Sequence, residues 1–416
     1  MATFAPARGG VLAIPTRYLR AFYEVCRYGS VSRASVALCR AQSAVTRAVL
    51  QLERELSVPL FERSVNGMLP TQFGNILLRR VERAFAYMDT AYRDVAVLTR
   101  QARRGQIYAL HMSQRRLRVL VELARKRHMG AAADALAISQ PAVSQLLHEI
   151  EESVGARLFE RGARGLRPTE AGETLAWQLR LALNEIRIAA DEIAAIRGLE
   201  QGEVRVGALS LGRTYLLPVA VTRLLAKYPA LKVSTMEGPF ETLAAALRAG
   251  EIDFVLGALR PPEYCKGLIR ESFLDDSMAV MVRAGHPLRR RRRLGLRDII
   301  EAQWVLPHAG TPTRNLFEGL LAQRGLAPPN VVLETTDLAI IREVLLESDM
   351  LTAISPHQFY REATAGMVAR LPIDLPETFR QIGVLRRNDD RPSPGTQLLL
   401  AEIRAITAIP DTVAAR

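Results

Sequence analysis

A short segment near residue 145 carries side chains that could read the edges of DNA bases. Ser139 can cap a helix that places Val143, Leu147 and Ile150 on one face, and Pro141 suits its first turn. The opposite face carries short hydrogen-bonding groups, namely Gln140, Ser144, Gln145 and His148. Amides and hydroxyls can pair with base edges in the major groove, so this pattern is typical of a recognition helix.

The segment is one half of an internal repeat. A shift of 98 residues aligns Leu19–Gly74 with Leu117–Gly172 without a gap, and 19 of 56 positions are identical. The identities cluster at Gln42/Gln140, Ala44-Val45/Ala142-Val143, Leu60-Phe61-Glu62-Arg63/Leu158-Phe159-Glu160-Arg161 and Pro70-Thr71/Pro168-Thr169. Chance similarity would scatter, so we infer a duplicated domain.

Each copy predicts three short helices followed by a hairpin. In the second copy, helical patterns over Arg115–Arg127 and Met129–Leu136 precede the recognition helix. Short apolar and polar alternation around Gly162 and Gly165 then indicates a β-wing.

A seam of apolar residues follows each wing. The spacing is 4-3-4-3-4-3 in Leu77, Val81, Ala84, Met88, Ala91, Val95 and Leu98, and again in Leu175, Leu179, Ala182, Ile186, Ala189, Ile193 and Ile196. Such a seam implies a helix that pairs with another helix, with packing on its own domain as the alternative.

The linker between the copies limits how these helices can pair. A helix over 73–104 is about 45 Å long, whereas the eight residues 105–112 reach at most about 26 Å and cannot return to its start. We therefore predict that helices 73–104 and 174–198 pair antiparallel within one chain. Pairing between two chains is the alternative.

Charge indicates an anionic partner for the N-terminal region. The chain has a formal net charge of +13, and residues 1–110 hold 16 arginines against 7 acidic residues. Hydrophobic content is 49%, and no apolar run is long enough to span a bilayer. We expect no membrane partner, and we interpret residues 1–14 as a tail on a cytoplasmic protein.

Residues typical of catalysis or metal binding are sparse. Cys26, Cys39 and Cys265 lack ligand spacing and are predicted to be buried free thiols in a reducing compartment. No HxH, HExxH, GxSxG or GxxxxGK[ST] pattern occurs, so we expect no metal, no cofactor and no enzyme. The run Arg289–Arg293 favours a solvated loop, with a contact to DNA or another acidic surface as the alternative.

From Glu203 the pattern changes to strands that alternate with helices. This predicts βαβ units and a parallel sheet. Strands are expected at EVRVGAL, KVSTME, DFVLGAL, SMAVMVRA, QWVLP, VVLETT and MLTAIS, and helices over Tyr215–Tyr228, Phe240–Gly250, Arg314–Arg324, Leu338–Glu347 and Gly395–Ile406.

Both copies resemble the DNA-binding domain and linker helix of LysR-type transcriptional regulators. The resemblance rests on AQSAVTRAVLQLE and SQPAVSQLLHEIE, on LFER followed by PTQFG or PTEAG, and on the long helix after each. It continues through the C-terminal half and covers nearly the whole chain from residue 15. Family members usually carry one such domain, so the tandem pair is a departure.

The resemblance implies a bacterial regulator that binds double-stranded DNA and a small-molecule effector and assembles as a homo-oligomer. The expected fold is multidomain, with two mainly α-helical winged helix-turn-helix domains, long linker helices and an α/β two-lobed periplasmic-binding-protein-like effector domain. We expect a tail over 1–14, winged domains over 15–74 and 113–172, linker helices with their connections over 75–112 and 173–201, and the effector domain over 202–416, with lobe I about 202–275 and 375–416 and lobe II about 276–374.

Family position also implies which residues meet DNA. In the recognition helices these are Gln42, Thr46, Arg47, Gln140, Ser144 and Gln145. Arg164 in the second wing would enter the minor groove, but the first wing has Asn66 there, which puts that contact in doubt. Arg63 and Arg161 either contact DNA or form structural ion pairs, and Pro70, Thr71, Pro168 and Thr169 are expected to shape the join between wing and helix.

The effector would bind between the two lobes, where strand ends meet helix N-termini that favour anions. The candidate residues are Ser210, Gly212, Pro239, Thr311, Thr313 and Thr336. Ser210 and Thr311 are favoured by family position, with ordinary N-capping as the alternative. A small carboxylate or a sugar acid would suit these polar loops.

Two other functions share part of this pattern. A transport-type solute-binding protein would share the C-terminal half but would carry a secretion signal and no winged helices. A winged helix can also serve only for protein contacts, and this alternative applies to one copy more readily than to both.

Overall fold

Three short helices and a hairpin form the first N-terminal domain of the computed structural model, which describes residues 14–64, 67–99, 113–162, 165–291, 293–388 and 391–407. Apolar residues at helical spacing, including Phe22, Val25, Val45 and Leu52, are buried in one core. The elements are α1 (Thr16–Tyr28), α2 (Val31–Ala37), α3 (Gln42–Leu56), β1 (Phe61–Ser64) and β2 (Gly67–Pro70), with β1 antiparallel to β2. A long helix, α4 (Gln72–Leu98), follows.

The second N-terminal domain repeats this order 98 residues later. Its elements are α5 (Gln114–Lys126), α6 (Met129–Leu136), α7 (Gln140–Val154), β3 (Phe159–Gly162) and β4 (Gly165–Pro168), and they lead into α8 (Glu170–Ile196). The predicted three helices, wing and long helix are therefore confirmed in both copies.

The long helices α4 and α8 pack against each other within the chain. Arg80 forms ion pairs with Glu185 and Glu192, and Arg83, almost one turn further along α4, forms an ion pair with Glu185. A step forward on α4 thus moves backward on α8, so the helices are antiparallel, as predicted. The buried residues of both domains and both long helices form one continuous apolar core.

Most of the predicted seam lies in this interface. Its residues are buried in both helices, apart from Leu98 and Ile196 at the C-terminal ends, which are exposed. The end that we predicted for the first helix, residues 100–104, and the connection 105–112 lie outside the described residues.

The described part of the C-terminal region contains a five-stranded sheet, a three-stranded sheet and a pair of parallel strands. Their strands are β5 (Gly202–Ala208), β6 (Leu231–Glu237), β7 (Phe254–Ala258), β8 (Leu268–Asp276), β9 (Ala279–Arg283), β10 (Gln303–Leu306), β11 (Asn330–Glu334), β12 (Thr352–Ile354), β13 (Val368–Arg370) and β14 (Arg380–Arg387).

The first sheet has the order β6-β5-β7-β14-β8. Strands β5 and β7 are parallel, but β14 runs antiparallel to both of its neighbours. The prediction of a parallel sheet is therefore wrong for this sheet. The cause is a strand that returns from late in the chain and inserts between β7 and β8.

The three-stranded sheet is antiparallel, and the pair of strands beside it is parallel. Strand β9 lies between β12 and β13 and is antiparallel to both, whereas β10 and β11 are parallel. A parallel bridge between Trp304 and Leu351 joins the two groups of strands. The chain leaves the first sheet after Asp276 and re-enters it at Arg380.

Helices cover these sheets. The helix that we predicted over Tyr215–Tyr228 is confirmed as Leu216–Lys227, and a short helix that we did not predict, Ser210–Thr214, precedes it. The helices are α9 (Ser210–Thr214), α10 (Leu216–Lys227), α11 (Phe240–Arg248), α12 (Pro312–Gln323), α13 (Leu338–Glu347), α14 (Tyr360–Thr364) and α15 (Pro394–Thr407).

The described residues separate into two units, one made mostly of residues up to 202 and one mostly of residues from 203. Within the described part of the chain, no helix is both long and apolar enough to cross a membrane.

Candidate nucleic-acid interface and effector site

The recognition helices are positioned by their buried faces and by their first turns. The hydroxyl of Ser139 accepts from the backbone N–H of Ala142 and caps α7, and Pro141 lies in the first turn, as predicted. Helix α3 begins after Ala41 without a side-chain cap. Because Val45 and Val143 point into the core, the residues between the buried positions face outward.

The outer face of α3 carries the predicted contact residues of the first copy. Gln42 and Arg47 are exposed, and the hydroxyl of Thr46 donates to the carbonyl of Gln42 at 3.0 Å. An open surface concavity on this face is lined by Gln42, Ser43, Thr46, Arg47, Leu50 and Arg54. The face therefore combines amide and hydroxyl groups with two guanidiniums.

The outer face of α7 has a different charge. Gln140, Ser144 and Gln145 are exposed, and the amide of Gln145 donates to the carboxylate of Glu149 at 3.2 Å. Arg116 donates to the same carboxylate at 2.6 Å, and this hydrogen bond lowers the pKa of Glu149 below its usual value. The α7 face thus presents amides and a hydroxyl beside a carboxylate that stays ionised.

The wings are tied to the recognition helices by glutamates that the sequence reasoning did not single out. Oε1 of Glu151 accepts from the backbone N–H groups of Leu158 and Phe159 at 2.7 and 3.1 Å. Glu53 makes the matching bond to Leu60 at 2.7 Å. Both glutamates end the recognition-helix motif, and their recurrence after 98 residues was the signal that could have identified them.

The tips of the wings, including Asn66 and Arg164, lie outside the described residues. Arg161 is exposed on β3, which leaves a DNA contact open to it. Its counterpart Arg63 has no described side chain.

Thr71 and Thr169 join each wing to its long helix, as the sequence indicated. Each hydroxyl accepts from the N–H of a glycine three residues on, Gly74 or Gly172, at 3.0 and 3.1 Å. Thr71 also donates to the carbonyl of Pro59 at 2.8 Å. These bonds fix the direction in which the helix leaves the wing.

The predicted effector residues follow strands β5, β6, β10 and β11, either in the connection or in the first turn of the next helix. Ser210 and Gly212 belong to α9 after β5, Pro239 precedes α11, Thr311 and Thr313 flank the start of α12, and Thr336 precedes α13. Gly212 is buried against Leu256 of β7, whereas Pro239 and Thr336 are exposed.

Ser210 and Thr311 do not cap their helices through their side chains. The hydroxyl of Thr311 donates to the carbonyl of His308 at 2.7 Å, and Ser210 accepts weakly from Arg213 at 3.4 Å. The alternative of ordinary N-capping is therefore not supported for these two residues. Asp337, rather than Thr336, caps α13 by accepting from Ala339 at 2.8 Å.

Arg380 of β14 contacts residues of β8 and α12. It was not among the predicted site residues. Its Nε donates to Asp276 at 2.8 Å, and its Nη1 lies 3.5 Å from the hydroxyl of Thr313. The hydroxyl of Ser355 donates to the other oxygen of Asp276 at 2.6 Å. Asp276 is buried, and these bonds connect β8, β14, α12 and the turn after β12.

A second arginine, Arg260, lies within electrostatic range of Arg380. Burial and the charge of Arg380 both lower the pKa of Arg260, against the attraction of Glu241. The guanidinium of Arg260 lies over the ring of Phe240 at 5.4 Å. Nη2 of Arg380 is buried and has no hydrogen-bond acceptor among the residues that the structure describes. This part of the site therefore has positive charge that carboxylates balance only in part.

Other sequence predictions have mixed outcomes. Among residues 289–293, the described arginines are exposed, as a solvated loop requires.

The three cysteines are free, but Cys39 is exposed and Cys26 is half-buried, so the prediction that all are buried holds only for Cys265. Burial and nearby Glu82 raise the pKa of Cys26 to about 12, which keeps it a thiol at neutral pH. No group of three or more metal-ligating side chains occurs in the described ranges.

The N-terminal helices, hairpins and exposed polar helix faces define a winged-helix DNA-binding protein that continues into an α/β domain. The family description "Bacterial regulatory helix-turn-helix protein, lysR family" matches residues 16–75 and 114–173. The description "LysR substrate binding domain" matches residues 197–408. The chain belongs to the LysR family of bacterial regulators.

Relatives support this assignment over most of the chain. HTH-type transcriptional regulator GalR of Pseudomonas putida is 44% identical over 388 residues, which cover 93% of this chain and 96% of that protein. HTH-type transcriptional regulator PcaQ of Agrobacterium fabrum is 30% identical over 290 residues, 70% of this chain and 93% of that protein. A full-length OxyR variant of Pseudomonas aeruginosa shares the fold, with a TM-score of 0.52 and 23% identity over 70% of this chain and 97% of that one.

The function follows from these matches and from the domains described above. The chain is a DNA-binding transcription regulator of LysR type whose C-terminal domain binds a small-molecule effector. Members of this family are regulators rather than enzymes.

Proposed function

We propose that both winged domains bind double-stranded DNA, and that an anionic effector bound in the C-terminal domain controls this binding. The observation that carries the proposal is the pair of exposed polar faces at matched positions of α3 and α7. The residues assigned to DNA are Gln42, Thr46, Arg47, Gln140, Ser144 and Gln145, with Arg164 added from the second wing.

The first domain contributes more of the electrostatic affinity in this proposal. Its recognition face holds Arg47 and Arg54, whereas the α7 face holds ionised Glu149. A salt-dependent gel shift on random DNA and on DNA selected with the purified chain tests the proposal. Binding that does not distinguish the two DNAs would contradict sequence-specific recognition.

We predict that Arg47→Ala weakens binding to the selected site by about 1–3 kcal/mol and relaxes the preference at one base pair. Gln145→Ala is expected to relax the preference at a different base pair. Competition binding against single-base variants of the site measures both effects.

Arg79 supplies the control because it is an exposed arginine of α4 outside the recognition face. Arg79→Ala removes the same charge as Arg47→Ala and is expected to leave base preference unchanged. If Arg47→Ala and Arg79→Ala had equal effects on base preference, Arg47 would have no role in reading DNA. Truncation of the first domain is a poorer test, because it also removes the helix that covers the apolar face of α8.

The effector in this proposal is a small anion held by Ser210, Gly212, Pro239, Thr311, Thr313 and Thr336. Arg260 and the buried Nη2 of Arg380 support an anionic ligand, since the charge of Arg380 acts on Arg260 and an anion would lower this repulsion. The helix starts at α9, α11 and α12 add free N–H groups.

We predict that Ser210→Ala and Thr311→Ala weaken the response to the effector about tenfold while leaving effector-free DNA binding intact, because each removes one hydrogen bond to an anion. Thermal shifts with a panel of small carboxylates and sugar acids measure the response. Thr222→Ala, an exposed threonine on α10, is the matched control. Loss of effector-free DNA binding in both variants would instead indicate a role in folding.

Location and assembly complete the proposal. A regulator that reads chromosomal DNA acts where that DNA lies, so we keep the cytoplasmic location expected from the sequence. The apolar faces of α4 and α8 are buried against each other within the chain. We therefore place the expected homo-oligomer contacts in the C-terminal domain.

A further inference from the structure

A buried ion cluster lies in the helix pair formed by α4 and α8. Nη1 of Arg80 donates to Glu185 at 2.9 Å, and Nε and Nη2 donate to the two carboxylate oxygens of Glu192 at 3.2 and 2.5 Å. Nε of Arg83 lies 3.2 Å from Glu185. The side chains of Arg80 and Glu185 are only 3% and 4% exposed. Charges buried to this degree are tolerated only when each keeps its partners.

The repeat shows what pairing of two α8 helices would bring together. Arg80 corresponds to Gln178 after the shift of 98 residues. In a pair of α8 helices with the same geometry, Gln178 would face Glu185 and Glu192 of the other copy. No cation would then lie opposite two buried Glu185 carboxylates, which is costly.

Pairing of two α4 helices is also unfavourable. Glu185 and Glu192 correspond to Tyr87 and Asp94, so Arg80 would face a phenol and one shorter carboxylate. Arg80 would lose the bidentate bonds and one of its two anionic partners. Only the mixed pair matches the guanidinium with both glutamates.

We propose that the Arg80–Glu185–Glu192 cluster selects the α4–α8 pair over pairs of like helices, so that one chain presents two different recognition helices to a DNA duplex with two non-identical half-sites. This rests on the DNA-binding function proposed above. A buried polar group at a helix interface can specify which helices pair, at some cost in stability.

The two recognition faces differ where they would meet bases and phosphates. Arg47, Leu50 and Arg54 of α3 correspond to Gln145, His148 and Glu152 of α7. A guanidinium favours guanine, an amide favours adenine, and a carboxylate is repelled by phosphate. A palindromic site would therefore suit only one of the two faces.

The helix pair also sets how far apart the half-sites lie. Each wing is joined to the N-terminal end of its own long helix, and antiparallel pairing places those ends at opposite ends of the pair. A helix of 27 residues is about 40 Å long, a little more than one turn of DNA. The two half-sites are thus separated by about one turn or more of the duplex.

A binding series with the full chain tests the asymmetric target. The site is selected from random DNA, and two palindromes are built from it, each by repeating one half-site in inverted orientation. We expect the selected site to exceed both palindromes in affinity by about tenfold or more. A palindrome bound as tightly as the selected site would overturn the proposal, whereas no preference for any sequence would overturn the proposed DNA-binding function itself.

A substitution in α3 makes the same test from the protein side. Arg47→Gln gives α3 the side chain that α7 has at the matched position. We expect it to reduce the preference for the selected site over the palindrome built from the second half-site. Arg79→Gln removes the same charge and is expected to preserve that preference; equal effects of the two variants would count against different half-sites.

Crosslinking tests the selection of helices. Asn75→Cys and Ile196→Cys are introduced at opposite ends of the long helices in a chain without Cys26, Cys39 and Cys265. Chains with two different tags are unfolded, refolded together at high concentration and treated with a bis-maleimide. We expect crosslinks within chains.

Replacing all three charged residues of the cluster distinguishes an effect on which helices pair from an effect on the stability of the fold. The variant Arg80→Met, Glu185→Met, Glu192→Met removes the buried charges of the cluster together and leaves Arg83, whose side chain is 30% exposed, so it is expected to fold. Because pairs of like helices would move the cysteine at position 75 away from the cysteine at position 196, crosslinks within chains are expected to fall several-fold. Arg79→Met is the control and is expected to behave as the unsubstituted chain. If the triple variant folded and kept the same yield of crosslinks within chains, the cluster would not select the pair.

Discussion

Gly172→Ala is expected to destabilise the second winged domain by about 3 kcal/mol or more, because the first turn of α8 packs directly on backbone. A Cβ at this position would lie 2.9 Å from the carbonyl carbon of Leu158 and closer still to its oxygen. That carbonyl cannot move freely, since it accepts from the N–H of Thr169 at 2.9 Å while the N–H of Leu158 is held by Glu151.

The first domain predicts the same result at its matched position. A Cβ at Gly74 would lie 3.2 Å from the carbonyl carbon of Leu60, which is held in the same way. Chemical denaturation followed by helical circular dichroism measures the loss in both variants. Loss of the wing's packing on α8 is also expected to weaken DNA binding.

Gly319→Ala is the matched control. Gly319 lies inside α12, and nothing lies within 4 Å of a Cβ built there. Alanine is expected to stabilise that helix by about 0.5–1 kcal/mol. If Gly172→Ala changed stability as little as Gly319→Ala does, the close approach of α8 to Leu158 would carry no energetic weight.

Arg80→Ala is expected to cost about 3–5 kcal/mol of stability, because it leaves Glu185 buried without its main partner. Burial alone would lower the pKa of Arg80, but its hydrogen bonds to Glu192 and Glu185 and the attraction of these carboxylates together outweigh burial and raise the pKa above its usual value. The interaction therefore favours the charged form within the folded helix pair.

The comparison for this loss is Arg79→Ala. Arg79 is the neighbouring residue on α4 but is exposed, and its replacement is expected to change stability by less than about 0.5 kcal/mol. Denaturation midpoints of the two variants are measured at the same ionic strength. They distinguish the loss of a buried interaction from the effect of removing one positive charge. Equal midpoints would show that the cluster contributes nothing to the native state.

Much of the N-terminal architecture could be predicted because its signals are local or repeated. Apolar residues at helical spacing specified the buried faces of α3 and α7, and the remaining positions had to face outward. Because the domain is duplicated, the same pattern occurs at matched positions of both copies, including the capping threonines Thr71 and Thr169. The short connection between the copies also limited how α4 and α8 could pair.

The C-terminal region was predicted less completely. Most strands and helices were recognised from alternation, but the short helices α9 and α14 and the strands β8, β13 and β14 were not. The place of β14 between β7 and β8 depends on pairing with residues more than 100 positions away. Local periodicity carries no information about such pairing, so a parallel sheet was expected where a mixed one forms.

The sequence by itself determined the repeat, the recognition helices, the heptad seams and the family, since each depends on residue types at short, regular spacing. Only the tertiary structure decided which charges meet. Arg80 and Glu185 are 105 residues apart, and Arg380 and Asp276 are 104 apart, yet the first pair shares a buried hydrogen bond and the second a partly buried one. Such contacts arise where packing brings distant elements together and excludes water. Spacing along the chain therefore cannot predict which residues become partners.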